Sequence, residues 1–398
     1  MIDNPSINES PRTSIEIVMP DFDSYLTELI IKLDNLRLKE TWEGTTPKPL
    51  FQQFKTVLFM LESVATARIE GNHTTVLEYV NSKIDDLQPK PYGIREICNL
   101  ENALQFIEQN ANYPINRMFI SQLHKMIMDG LPLDEEGDVT PGEYRKENVA
   151  ILKSVHQPPD AIQVNDYMEE LLDFINKQVP NRFELLKTAI AHHRFVWIHP
   201  FTNGNGRTAR LLTYAMLVKY GFAVESGRIV NPAAVFCSTR EEYYNNLGLA
   251  DESLKTGNKK GMLQWCEYML TGIKRETDNI NRLTDYNFVK TKLLLPTFRK
   301  AKDNAFLSSN EYLLLEKAAQ CQMPFRAGDV KDVFSRLGAK NATLLTSRTI
   351  KSLRDKKILV QEKDNNRAYY IQFDNNPLLR GLLQAMDEAG ILPIDPNS

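Results

Sequence analysis

From Ser24 to Asp285 the apolar residues of this chain recur at the three- and four-residue intervals of amphipathic helices. Leu26, Leu29, Ile30 and Leu33 set the pattern, and Phe54, Val57, Leu58 and Leu61 repeat it. Alternating, strand-like spacing is confined to two short stretches, so the chain is expected to fold mainly as packed helices. Further helices are read over residues 94–108, 116–128, 167–177, 182–196 and 207–219. Gly71-Asn72 breaks the early run where a left-handed residue would end a helix. At 398 residues the chain is too long for one ordinary core, and two or three units are expected.

Two regions depart from helical spacing. Residues 131–160 carry Gly137, Pro141, Gly142, Pro158 and Pro159 around the alternating Asn148-Val149-Ala150-Ile151-Leu152, which reads as a loop plus a short β-hairpin. Beyond about Lys300, helices over 309–320 and 327–337 precede a basic one over 346–357. Two strand-like runs, 358–363 and 367–373, then flank a turn at Asp364-Asn365-Asn366. Three helices followed by a two-stranded ribbon predict a winged helix-turn-helix. The units are therefore drawn as 1–110, 111–290 and 300–398.

The net charge of −3 supplies no global attraction to nucleic acid or anionic lipid. No run approaches the roughly 20 apolar residues that span a bilayer, and Leu211 to Val218, the best candidate, reads as a buried helix. Met1 to Ser6 lacks the features of a signal peptide. Cys98, Cys237, Cys266 and Cys321 are far apart and form no CxxC pair, which predicts a reduced, cytoplasmic protein with neither disulfide framework nor zinc site.

Chemistry concentrates at residues 199–210, His-Pro-Phe-Thr-Asn-Gly-Asn-Gly-Arg-Thr-Ala-Arg. A helix ending near Trp197 runs into a glycine turn, and a new helix starts at about Arg207. The first N–H groups of a helix lack internal partners and attract anions. Gly204 and Gly206 let the backbone turn those groups toward a phosphate that approaches closely. Arg207 and Arg210 share one helical face and add forked donors. His199, neutral near pH 7, can accept a proton from a hydroxyl, and the Asn203 amide oxygen can meet a divalent cation. A lone His before proline is usually structural and a lone Gly-Asn-Gly usually a turn; their convergence on one junction argues otherwise. No P-loop, no GxGxxG after a strand and no kinase signature competes.

Residues 199–210 resemble the HPFx(D/E)GNGRxxR signature of Fic-domain protein adenylyltransferases at every defined position but one. The resemblance implies a Fic helical core with a β-hairpin flap. It further implies ATP as substrate and Mg²⁺ as its companion, with transfer of AMP to a Ser, Thr or Tyr hydroxyl of a target protein or of the chain itself. His199 would act as base, Gly204, Asn205 and Gly206 would hold the phosphates, and Arg207 and Arg210 the β- and γ-phosphates. The exception is Asn203, where the family more often has an acidic metal ligand. Thr66, Glu70 and Gly71 match the family's (S/T)xxxE(G/N) inhibitory motif, on a helix at about 60–72. There Glu70 would pair with Arg210 and obstruct the γ-phosphate.

Pro141-Gly142-Glu143-Tyr144-Arg145, followed by Asn148, Val149, Ala150 and Ile151, resembles the flap that docks the target segment by strand addition. Tyr243 and Tyr244 resemble an aromatic pair near the adenine, of which at most one can face the pocket, and Asp251 is placed beside them. His124, His156, His192 and His193 read as packing or surface residues. Arg348, Lys351, Arg354, Lys356 and Lys357 make DNA contact through the winged helix an open expectation, protein docking being the other. A homodimer that masks the inhibitory helix, as the resemblance would allow, stays open. Two other functions stay open: a DNA-binding regulator with a nucleotide-sensing core, and an enzyme that mainly removes AMP.

Overall fold

The computed structural model describes residues 15–38, 44–85, 90–133, 137–151, 155–222, 232–321, 323–336, 338–362, 365–374 and 376–392. It is mainly helical. The first eleven helices are α1 (Tyr25–Leu38), α2 (Lys48–Ile69), α3 (Val76–Ile84), α4 (Tyr92–Gln109), α5 (Arg117–Met128), α6 (Val164–Asn176), α7 (Glu184–Ile198), α8 (Asn205–Lys219), α9 (Pro232–Ser238), α10 (Arg240–Thr256) and α11 (Lys260–Asn281). Helix α8 is the centre of the packing and touches α2, α4, α5, α7 and α9. Every residue from Arg207 to Val218 is buried, so the helix is enclosed all round instead of along one stripe, Arg207 and Arg210 included. The apolar run Leu211 to Val218 is thus core, and among the described residues no helix is long and apolar enough to cross a membrane.

Helix α2 carries the inhibitory-motif residues at its C-terminal end. Glu70 is the C-cap, and the N–H groups of Gly71 and Asn72 return to the carbonyls of Arg68 and Ala67, both at 3.1 Å. This is the double hydrogen bond of a Schellman ending. Asn72 then fastens the turn to α4, donating to the Gly93 carbonyl (2.9 Å) and the Glu96 carboxylate (2.7 Å).

The C-terminal part begins with α12 (Tyr286–Phe288), which runs through a π-helical stretch (Val289–Leu294) into α13 (Leu295–Asp303). Then follow α14 (Ser309–Gln320), β1 (Phe325–Arg326), α15 (Ala327–Val330), α16 (Asp332–Arg336), α17 (Ala342–Asp355), β2 (Leu359–Glu362), β3 (Asn365–Ile371) and α18 (Leu378–Glu388). The strands form one antiparallel sheet in the order β1-β3-β2. The ribbon expected from sequence is β2–β3. Strand β1 and helix α18 were not anticipated, and the single helix expected over 327–337 divides into α15 and α16. Arg348, Lys351 and Arg354 on α17, and Lys356 and Lys357 just beyond its end, are exposed; Lys356 also pairs with Glu311 at 2.8 Å. Gln53 of α2 grips the end of the sheet, donating to the Ile371 carbonyl (2.6 Å) and accepting from the Phe373 N–H (3.0 Å).

The expected flap hairpin corresponds to no strand pair among the described residues. Asn148 to Ile151 has no regular secondary structure and shows alternating exposure, pinned where Asn148 bonds Asp160 (3.0 Å) and the Ala161 N–H (2.8 Å). Leu152, the last residue of the expected strand, lies outside the described residues.

Candidate active site

His199 is the C-cap of α7, with φ 53° and ψ 58° in the left-handed region. Its N–H closes the helix onto Phe195 (3.0 Å), and the next carbonyl but one, Trp197, is met by His156 Nε2 (2.8 Å). Pro200 follows and ends the helix. The chain then loops through Phe201 to Gly204, whose φ of 70° makes it the N-cap of α8. A Cβ at Gly204 would also lie 1.9 Å from Met128 Cε, so that the end of the Met128 side chain would have to move aside. Asn205 braces the loop by accepting from the Phe201 N–H and donating to the Phe201 carbonyl, both at 2.8 Å. Its side chain is therefore structural, and its contribution to anion binding is its backbone N–H at the start of α8.

His124, expected only to pack, supports this loop. Its ring stacks on Phe201 at 3.8 Å, and Nδ1 accepts from the Gly142 N–H (2.8 Å). That leaves Nε2–H to donate to the Asn203 carbonyl at 3.0 Å. Both bonds require a neutral ring, and burial pushes its pKa down to about 4.

Each arginine of the cradle already holds a carboxylate. Arg210, 1% exposed, donates to Glu70 Oε1 and to the Thr66 carbonyl (3.2 Å), so Thr66 contributes through its backbone. Burial depresses Arg210, but the Glu70 charge and hydrogen bond, with Tyr243 and Tyr244, together outweigh it and hold Arg210 above its ordinary range. Burial likewise pushes Glu70 up, and Arg210 and Arg207 together pull it below the usual carboxylate range. Glu70 also lies on the glycine turn: a Cβ at Gly206 would come within 2.3 Å of its Oε1. A carboxylate thus occupies the start of α8, where a helix attracts anions. Arg207, expected on the phosphates beside Arg210, is fully buried against Glu96 at 2.7 Å. Glu96, which sequence reasoning missed, is itself pushed up by burial, the arginine notwithstanding. It is 111 residues away from Arg207, and no spacing rule connects the two.

A Mg²⁺ site is poorly supported by the protein groups. Asn203 Oδ1 accepts from the Gly204 N–H (2.7 Å) and from Arg207 (3.3 Å), and among the described residues no group of three or more His, Cys, Asp or Glu could hold a metal. One neutral, doubly bonded amide oxygen does not fit a cation usually bound through carboxylates and substrate phosphates. No step is therefore routed through a metal.

The expected adenine contacts separate. Tyr243 is buried, with its hydroxyl on His192 Nε2 (2.9 Å), while Tyr244 is 47% exposed. Of the two, only Tyr244 is solvent-exposed, with the Arg240 guanidinium over its ring at 5.9 Å. Asp251 is bound to His193 at 2.9 Å and serves that histidine.

Burial is the main reason His199 is depressed to about 4, with Arg145 acting in the same direction and the Val196 carbonyl and Glu70 opposing. Its Nδ1 nevertheless makes no hydrogen bond of acceptable geometry. A ring with this pKa is neutral, and so able to accept a proton, throughout the physiological range. Its ¹³C resonances in the nucleotide-free protein should titrate with a midpoint near 4; a midpoint at the ordinary histidine value of about 6.5 would contradict the burial.

Comparison with known proteins places a Fic/DOC family match on residues 114–217, from just ahead of α5 to near the end of α8. A protein adenylyltransferase Fic of Nematostella vectensis is 27% identical over 233 residues, covering 56% of this chain and 50% of the relative. One from Aedes aegypti is 30% identical over 164 residues, covering 39% of this chain and 29% of the relative. The chain thus spans half the length, or less, of these curated relatives. Among solved structures, a Fic domain containing signaling protein from Bacteroides thetaiotaomicron superposes with a TM-score of 0.51 at 21% identity, covering 66% of this chain and 97% of that one. That likeness supports the helical fold.

Proposed function

We propose, from the premise that this chain carries a Fic/DOC domain at residues 114–217, that it transfers AMP from ATP to a hydroxyl group of a protein. The observation that carries this reading is the meeting of a neutral His199 with the anion-attracting start of α8, across one six-residue turn. In the reaction the acceptor oxygen attacks the α-phosphorus. The new O–P bond forms as the bond from the α-phosphorus to its bridging oxygen breaks, and pyrophosphate leaves. His199 takes the acceptor proton. The N–H groups of Asn205, Gly206 and Arg207 and the Arg210 guanidinium receive the polyphosphate, a preorganised set of donors that needs no rearrangement of the backbone.

We further propose that Glu70 is a brake. It engages Arg210 and lies over Gly206, where it takes the place of one phosphate group and repels another. ATP must displace it before Arg210 is available.

The test uses ATP labelled at either the α- or the γ-phosphate, with the Glu70→Gly protein and a mixture of candidate acceptor proteins. Acid-stable protein label from the α position alone is expected. Label from γ would mean phosphoryl transfer, and label from neither would remove the proposal.

A further inference from the structure

Arg145 is 4% exposed, yet the partners of its guanidinium are backbone carbonyls. Nε donates to His199 (2.8 Å), Nη1 to Glu147 (3.0 Å), and Nη2 to Pro159 (2.5 Å) and Ile198 (3.4 Å). Its own N–H donates to the Pro200 carbonyl at 2.8 Å. Three segments therefore converge on one side chain: the end of α7, the flap loop at 147, and the loop that leads into α6.

Ile198 and His199 contribute the last carbonyls of α7, where a helix has unpaired acceptors and partial negative charge. A planar cation with forked donors satisfies both conditions together. His199 has a side chain in a backbone region that favours glycine. The following Pro200 explains why the chain leaves the right-handed helix there, but not why it turns in this direction. Something outside α7 must hold the turn, and the Arg145 bond to the His199 carbonyl is placed to do so.

We propose that Arg145 is a positioning residue for the transfer reaction: its grip on the Ile198 and His199 carbonyls fixes the left-handed turn that aims the imidazole. Its grip on Glu147 and Pro159 ties that turn to the loop carrying the flap, so that the base and the loop beside it keep one geometry. Arg145 touches neither nucleotide nor acceptor. The inference rests on the transfer reading above for its kinetic consequence, and on the carbonyl contacts alone for its structural one.

The test is Arg145→Lys in the Glu70→Gly background. Lysine keeps the charge but offers a point donor that cannot span four carbonyls. Transfer at saturating ATP should fall about 100-fold, the scale of a displacement near 1 Å at a reacting group. The affinity for a non-hydrolysable ATP analogue should stay within about threefold, since binding and chemistry separate when only the base is misplaced. Transfer within about threefold of the parent overturns the proposal. So does a matching loss of analogue affinity, because Arg145 would then serve the phosphate cradle.

A second readout needs no transfer activity and decides the structural claim even if the parent labels nothing. In nucleotide-free protein with labelled histidine, the His199 Cα and carbonyl shifts should report a left-handed φ in the parent and lose it in Arg145→Lys; unchanged shifts overturn the proposal. Should the variant fail to fold, the unmodified protein still tests the clamp. There the Arg145 Nε–H should exchange with solvent far more slowly than that of an exposed arginine, and exchange at the exposed rate overturns it.

Discussion

Replacing Glu70 with glycine should raise ATP-dependent labelling by roughly 10- to 150-fold. The range follows from a charge-assisted hydrogen bond worth about 1.5–3 kcal/mol, at 1.4 kcal/mol per tenfold in affinity. It appears as tighter nucleotide binding because the carboxylate and the nucleotide's phosphates compete for Arg210 and for the space over Gly206. The same substitution strands a guanidinium that is 1% exposed, and an uncompensated buried charge destabilises the fold. The variant should therefore melt below the parent without nucleotide and regain stability as ATP is added, in the manner of any ligand that binds only the native state. Glu70→Gln keeps the size and an acceptor but loses the charge, and should fall between the two. Labelling by Glu70→Gly no higher than by the parent would remove the brake and leave the transfer chemistry untouched.

His199→Ala should reduce transfer by at least about 100-fold, the lower end of what a positioned general base contributes. Nucleotide binding should persist, because the donors at the start of α8 and Arg210 do not involve the imidazole. Measured in the Glu70→Gly background, the two effects separate cleanly: one variant governs access of the phosphates, the other the proton. Residual transfer above about a tenth of the parent would mean that another group takes the proton. The alanine also relieves little of the backbone demand at position 199, since its Cβ meets the same restriction at φ 53°.

What could be read ahead of the structure follows the range of the interactions. The turn from His199 to Arg210 is contiguous, so its glycines and its helix start were legible, whereas the engagement of Arg207 by Glu96 was not. The Glu70–Arg210 contact spans 140 residues and was available only through the family resemblance. Glu96 was not legible at all, and Arg145 was read only as part of the flap resemblance: a glutamate in α4 and an arginine in a loop acquire their contacts when tertiary packing brings them to Arg207 and to the end of α7. Tyr243 and Tyr244 show the reverse case. Adjacent positions on a helix point about 100° apart, which foretold that they would separate, but not that the inner one would be committed to His192. In the C-terminal part, Leu378, Leu379, Leu382, Leu383 and Met386 carry the spacing of an amphipathic helix. Helix α18 was therefore readable, whereas the two-residue strand β1 is too short to leave a pattern. The divided helix at 327–336 depends on neighbours that its own residues do not specify.

Helix α2 has 22 residues, which at 1.5 Å per residue makes a rod of about 33 Å. It contains no glycine, and its only proline lies in the first turn, so it has no built-in hinge along its length. Gln53, near one end, is stitched to the margin of the three-stranded sheet, and Glu70, at the other, rests on the glycine turn. Between those ends α2 is packed along its length on α4 and α9. A hingeless helix held this way shifts as one body, so a displacement of the sheet along that axis would be felt where a triphosphate would sit.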